Sequence, residues 1–128
     1  MKGTMLNSQE LEVLTILWEA GPQKPADIQR QLSFEVKNSA LRWQLGDMVQ
    51  RGILRREALG KAFVYSAVSG RREVFGSFAR RLKQMFFGGS ALAMIGEMLE
   101  TGELSSQELQ SLISLSRKKS SGQSERKA

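Results

Sequence analysis

The sequence predicts a mainly α protein with a small β-wing, organised as a winged helix-turn-helix followed by C-terminal dimerisation helices. Three observations predict it. Leu41, Leu45, Met48 and Val49 form a helical stripe that runs directly into two short alternating segments, 53–57 and 62–67, around a turn at Leu59-Gly60. Two shorter helical patterns precede that stripe. Further helical patterns with heavy apolar faces follow the ribbon.

Asn7 with Glu10 three residues later forms a capping-box pattern, in which each side chain satisfies an otherwise orphaned backbone donor. Leu11, Leu14 and residues 16–18 carry an apolar face up to Gly21-Pro22, with Trp18 expected in the core. Pro25 suits the first turn of a short second helix, where Ile28 and Leu32 stand one turn apart and point inward. SFEVKN, residues 33–38, lacks a helical stripe and reads as the turn. The third helix, 39–51, has Ser39 where a cap is wanted and Gly52 for a left-handed exit. Strand parity puts Phe63 and Tyr65 on one side of the ribbon, expected against the first helix.

Beyond Ser69, one face holds Val74, Phe75, Phe78, Leu82, Met85 and Phe86, with Arg72, Arg80, Arg81 and Lys83 elsewhere. Gly88-Gly89 breaks this helix, Ser90 caps the apolar segment ALAMIGEML, and Gly102 breaks the chain again. Ser105 and Glu108 make a second capping box before Leu109, Leu112, Ile113 and Leu115. Three short helices cannot cover so many large apolar side chains, so a second copy is expected to do it. Phe75, Phe78, Leu82, Met85, Phe86, Leu92, Ile95, Leu99, Leu112 and Leu115 are the expected homodimer contacts. The alternative is that these helices fold back onto the winged half as one monomeric core. The expected division is 1–68 for the winged domain, 69–116 for dimerisation and 117–128 for a basic, disordered tail.

Composition excludes several kinds of chemistry. At 128 residues and 41% apolar, the chain is sized for one domain, or one small domain with an appended helical part. It has no cysteine and no histidine, which removes disulfides, thiolate metal sites, the usual general base and the commonest nitrogen ligand. Asp27, Glu35, Asp47 and Glu57 show no paired spacing on one face, and no Gly-rich phosphate loop precedes a helix. No enzyme activity, cofactor or metal is expected. No run of about 18 apolar residues exists and the first residues carry no hydrophobic signal core, so a cytoplasmic protein with no membrane segment is expected. The net charge of +6 is uneven: residues 1–68 hold nine Lys/Arg against seven Asp/Glu, 69–116 five against five, and 117–128 five against one. Most of the excess lies in the tail, too polar to pack.

A helix that buries one stripe and leaves the other free beside a basic-tipped ribbon is suited to a groove of nucleic acid. Stepping 100° per residue, the face opposite Leu41 and Val49 carries Ser39, Trp43, Gly46, Asp47 and Gln50, with Arg42 and Arg51 on its flanks. Arg42 can reach a phosphate or a guanine. Lys61 beside Gly60 puts a charge at the wing tip, and Arg55 and Arg56 lie on the incoming strand. The expected DNA-contacting set is Ser39, Arg42, Trp43, Gly46, Asp47, Gln50, Arg55 and Lys61.

NSQELEVLTILWEAGP, MVQRGIL, GKAFVYSAV, FFGGS and ELSSQELQSL, in this order and spacing, resemble the penicillinase-repressor (BlaI/MecI/CopY) family of bacterial winged-helix repressors over roughly residues 6–116. The resemblance implies a homodimer bound to a palindromic double-stranded DNA operator until an inducer or protease releases it. Two positions depart from the family pattern: Trp43 stands where a small hydroxyl residue is usual, and Asp47 where a basic residue is frequent. They imply either an altered operator sequence or lost specific DNA binding, the latter leaving a winged-helix protein-interaction module anchored at Trp43. The cysteine-rich copper motif of some members is missing. Where antibiotic-responsive members are cut at an Asn-Phe bond, this chain aligns Glu97-Met98, so release by that cleavage is not expected.

Overall fold

The computed structural model describes residues 6–127, with side chains over 6–120. Its elements are α1 (Ser8–Ala20), α2 (Pro25–Gln31), α3 (Asn38–Gln50), β1 (Leu54–Leu59), β2 (Ala62–Ala67), α4 (Arg71–Phe87), α5 (Ala91–Thr101) and α6 (Ser106–Lys127). This is the mainly α order with a two-stranded antiparallel wing that the sequence predicts.

Two compact units divide between Phe78 and Ala79. In the first, Val13, Leu14 and Leu17 of α1, Ile28 of α2, Leu41, Leu45 and Met48 of α3, and Leu54 and Tyr65 of the ribbon form one buried cluster. Val74 belongs to that cluster and Phe78 packs against it, so the first half of α4 completes the winged core. The division between compact units thus falls after Phe78, about ten residues beyond residue 68. Phe78, expected at a dimer contact, is a packing residue of the winged unit. Trp18 is half-buried against the same core, and its indole N–H donates to the Ser69 carbonyl at 2.9 Å.

Local signals fix the ends of the elements. Asn7 Oδ1 accepts from the Glu10 N–H at 2.8 Å while Glu10 Oε1 accepts from the Asn7 N–H at 3.0 Å, completing the capping box. The turn between α2 and α3 is held by side chains: Gln29 Nε2 donates to the Val36 carbonyl at 2.8 Å, and Asn38 Nδ2 to Gln29 Oε1 at 3.2 Å. α3 ends in a Schellman arrangement, with Gly52 N–H on the Val49 carbonyl and Ile53 N–H on the Met48 carbonyl. Gly52 has φ 79°, a left-handed value that a side chain would strain. The α3 cap differs from expectation. Lys37 is the N-cap and makes no side-chain cap hydrogen bond, while Ser39 lies inside the first turn and is exposed. The helix therefore starts at Asn38, one residue ahead of the expected 39.

β1 and β2 pair in register from Leu54↔Ala67 to Leu59↔Ala62, leaving Gly60 and Lys61 as the two-residue loop. Gly60 has φ 64° and Lys61 does not adopt positive φ, the pattern of a type II′ hairpin turn. Gln23 adds a bridge to Tyr65, with N–H···O bonds of 3.0 and 2.8 Å in the two directions.

The second unit is organised by its breaks. Ser90 Oγ accepts from the Ala93 N–H at 3.0 Å, and Ser105 and Glu108 form the second reciprocal box, both bonds 3.0 Å. Among its described side chains only Leu104 is buried. Leu82, Met85, Phe86, Leu92, Leu112 and Leu115 are exposed, Leu92 at 83%, while Ile95 and Leu99 are half-buried. α6 runs from Ser106 through Lys127, across most of the segment 117–128 where the sequence suggests a basic tail. The side chains beyond residue 120 lie outside the described residues.

Candidate nucleic-acid interface

α3 buries Leu41, Leu45 and Met48 completely and Val49 in part, which leaves the opposite face free. Ser39, Arg42, Trp43 and Gln50 are exposed there, and Gly46 and Asp47 are half-buried. Trp43, at 74% exposure, is the most exposed of the chain's two tryptophans by a wide margin, Trp18 being packed on the core.

The two faces of the ribbon differ. Leu54, Arg56, Ala58, Phe63, Tyr65 and Ala67 share the inner side of the ribbon, because directly paired residues point the same way. Arg55 lies on the outer side. Arg56 instead leans toward α3, its guanidinium 4.5 Å from the centre of the Phe63 ring and its Nη1 3.9 Å from where a Cβ on Gly46 would lie. Phe63, expected against α1, is exposed and serves as the platform for Arg56; Tyr65 is the partner that enters the core. Arg56, rather than Arg55, is thus the wing arginine beside α3. Strand parity separates Arg55 from Arg56, but only the buried Leu54 and Tyr65 reveal which parity faces inward.

Two depressions meet at Arg42. One, of about 300 Å³, is lined by Arg42, Trp43, Gly46, Asp47, Val49, Gln50 and Arg56, and is the space between α3 and the wing. The other, of about 370 Å³, lies between the starts of α2 and α3 and the wing tip, where Lys24, Arg42 and Lys61 line it with Asn38 and Tyr65. Three cations around one recess, beside a helix start with no side-chain cap, make a surface suited to a backbone phosphate.

Asp47 is not the free acid that its position suggests. Its Oδ2 accepts from Arg51 Nε at 3.0 Å, and Arg51 Nη2 pairs in turn with Glu10 Oε2. Glu10 is only 6% exposed and uses its other oxygen in the α1 capping box. One guanidinium therefore joins the end of α3 to the start of α1.

Residues 6–118 match the family described as Penicillinase repressor. The chain belongs to the penicillinase repressor family. It is accordingly a DNA-binding regulator of transcription, with the winged fold that family membership requires. Among solved structures, the chain solved as the complex structure of hsRosR-S4 is similar in fold, with a TM-score of 0.51 and 19% identity over 77% of this chain and 89% of that one. A probable transcriptional regulator from Pseudomonas aeruginosa gives a TM-score of 0.49 and 22% identity, covering 91% of this chain and 80% of that one. No curated protein matches the sequence. Among the described residues no helix is long and apolar enough to cross a membrane, and no group of acidic side chains is arranged to hold a metal ion.

Proposed function

We propose that this family member is a sequence-specific repressor that binds a palindromic operator as a homodimer in the cytoplasm, with α3 in the major groove and the wing on the backbone. The observation that carries this reading is the α3 face itself. It is exposed at Ser39, Arg42, Trp43 and Gln50, flanked by Arg42 and Arg56, and continuous with the recess of Lys24, Arg42 and Lys61. In this reading Arg42, Trp43, Gly46, Asp47 and Gln50 meet base edges, Ser39 and Lys61 meet phosphates, and Arg56 takes the inner position of the wing ahead of Arg55. The dimer is supported by the second unit, whose exposed Met85, Phe86, Leu92 and Leu115 have no cover within their own unit. Release falls to an inducer or a protease acting on that unit.

The test is selection from a randomised double-stranded library at two salt concentrations, with the oligomeric state followed by analytical ultracentrifugation. The expected result is an enriched palindrome, half-sites about one helical turn apart, bound by a dimer with steep salt dependence. An intact dimer that enriches nothing even at low salt would overturn it. That outcome would favour the second reading, a protein partner anchored on Trp43, which the 74% exposure of that side chain supports.

A further inference from the structure

We propose that Asp47 is a specificity determinant, an oriented acceptor for the exocyclic amino group of a cytosine, and that Arg51 and Glu10 are the residues that position it. The inference rests on α3 being the reading helix.

An Asp–Arg pair four residues apart on a helix is ordinarily a loose surface contact. Here Arg51 is fastened at both ends of its guanidinium. Nε donates to Asp47 Oδ2 at 3.0 Å, and Nη2 pairs with Glu10, whose carboxylate is almost wholly buried. Glu10 is itself fixed, since Oε1 accepts from the Asn7 N–H at 3.0 Å and its own N–H donates to Asn7 at 2.8 Å. The chain of bonds runs from the capping box of α1, through the last turn of α3, to Asp47. A carboxylate on a face that meets phosphates normally costs affinity, and pairing with Arg51 offsets that cost.

The pairing also leaves a defined chemical function. With Oδ2 occupied, Oδ1 has no protein partner among the described residues, and Asp47 lines the depression between Trp43, Gly46, Gln50 and Arg56. An ionised carboxylate can only accept hydrogen bonds. In the major groove cytosine offers a donor alone at N4, whereas the adenine amino group sits beside the N7 acceptor, which repels a carboxylate. Guanine and thymine offer acceptors only. A carboxylate with one free oxygen and a fixed direction therefore selects cytosine.

The full-length protein is tested by library selection and by titration of the selected site, as wild type, Asp47→Ala and Arg51→Gln. The wild type is expected to require cytosine at one position in each half-site. Asp47→Ala is expected to lose about tenfold of discrimination at that position alone, the order of one base contact, while its affinity for unrelated DNA does not fall. Arg51→Gln is expected to blur the same position although Asp47 is intact; a merely structural role would weaken all sequences equally. Because Arg51→Gln leaves Glu10 buried without its cation, Glu10→Gln/Arg51→Gln is tested beside it, with folding followed by circular dichroism. An Asp47→Ala protein that selects the wild-type sequence with undiminished discrimination overturns the acceptor role. A folded double variant that keeps the cytosine preference overturns the positioning role. A wild type that enriches no sequence at all instead overturns the DNA-binding reading on which both depend.

Discussion

Gly46→Ala separates the stability of α3 from its use. Gly46 sits in the middle of the helix at an ordinary helical φ, and an added Cβ would meet only Arg56 Nη1, at a relaxed 3.9 Å. Glycine in a helix interior costs roughly 0.5–1 kcal/mol relative to alanine because the unfolded chain loses more freedom on folding. The variant is therefore expected to be more stable by about that amount. In a winged unit ending at Phe78 this corresponds to roughly 2–8 °C in melting temperature. The same methyl group stands in the depression between Trp43, Asp47 and Gln50, where base edges are proposed to approach. Holding the helix off by a methyl forfeits at least one base contact, about 1–3 kcal/mol or roughly five- to 150-fold in operator affinity. Thermal melts give the first quantity and fluorescence anisotropy on the selected operator the second. The two must move in opposite directions. A stabilised variant that binds the operator as tightly as wild type would refute close approach at Gly46, and a destabilised one would refute the account of its packing.

Other perturbations probe other layers of the molecule. Leu45→Ala, at a fully buried position between α3 and the core, should cost about 2–5 kcal/mol, visible as a lower urea midpoint. Asn7→Ala removes the α1 cap and should cost about 1 kcal/mol in the same assay, with operator affinity measured alongside because Glu10 loses its reciprocal partner. Lys61→Ala should lower affinity for all sequences and reduce the slope of log affinity against log salt by about 1, whereas Arg55→Ala on the outer ribbon face should change that slope less than Arg56→Ala. Phe86→Glu, at an exposed side chain of α4, should leave the melting of the winged unit unchanged and shift sedimentation toward monomer; an unchanged dimer would remove Phe86 from the interface.

The parts of this fold legible in the sequence are those set by short-range spacing. Both capping boxes join residues three apart, and the buried stripe of α3 follows from helical period, so both need nothing beyond the local chain. What the sequence hid depends on distant partners. Glu10 and Arg51 are 41 residues apart, and no spacing rule links them. The choice between Arg55 and Arg56 turns on which ribbon face meets α3, fixed by the burial of Leu54 and Tyr65 rather than by either arginine. Phe78 shares a helical stripe with Phe75 and Leu82, yet only Phe78 is turned toward the winged core, because a periodic pattern does not say where one packing neighbour ends and another begins. Ser39 looks like a cap by residue type, but the helix starts one residue earlier, at Asn38, with Lys37 as an N-cap that makes no side-chain bond.

That Leu104 is the one buried side chain among the described residues of the second unit has a thermodynamic consequence. Helices that do not bury their own apolar faces draw their stability from whatever covers them, and in the proposed dimer that cover is a second molecule. Their order then depends on how many copies are present: each tenfold dilution below the dissociation constant weakens the assembly by about 1.4 kcal/mol. Occupancy of a two-half-site operator would fall more steeply than the protein level itself, so that a modest drop in synthesis acts on transcription as a threshold rather than as a proportional response.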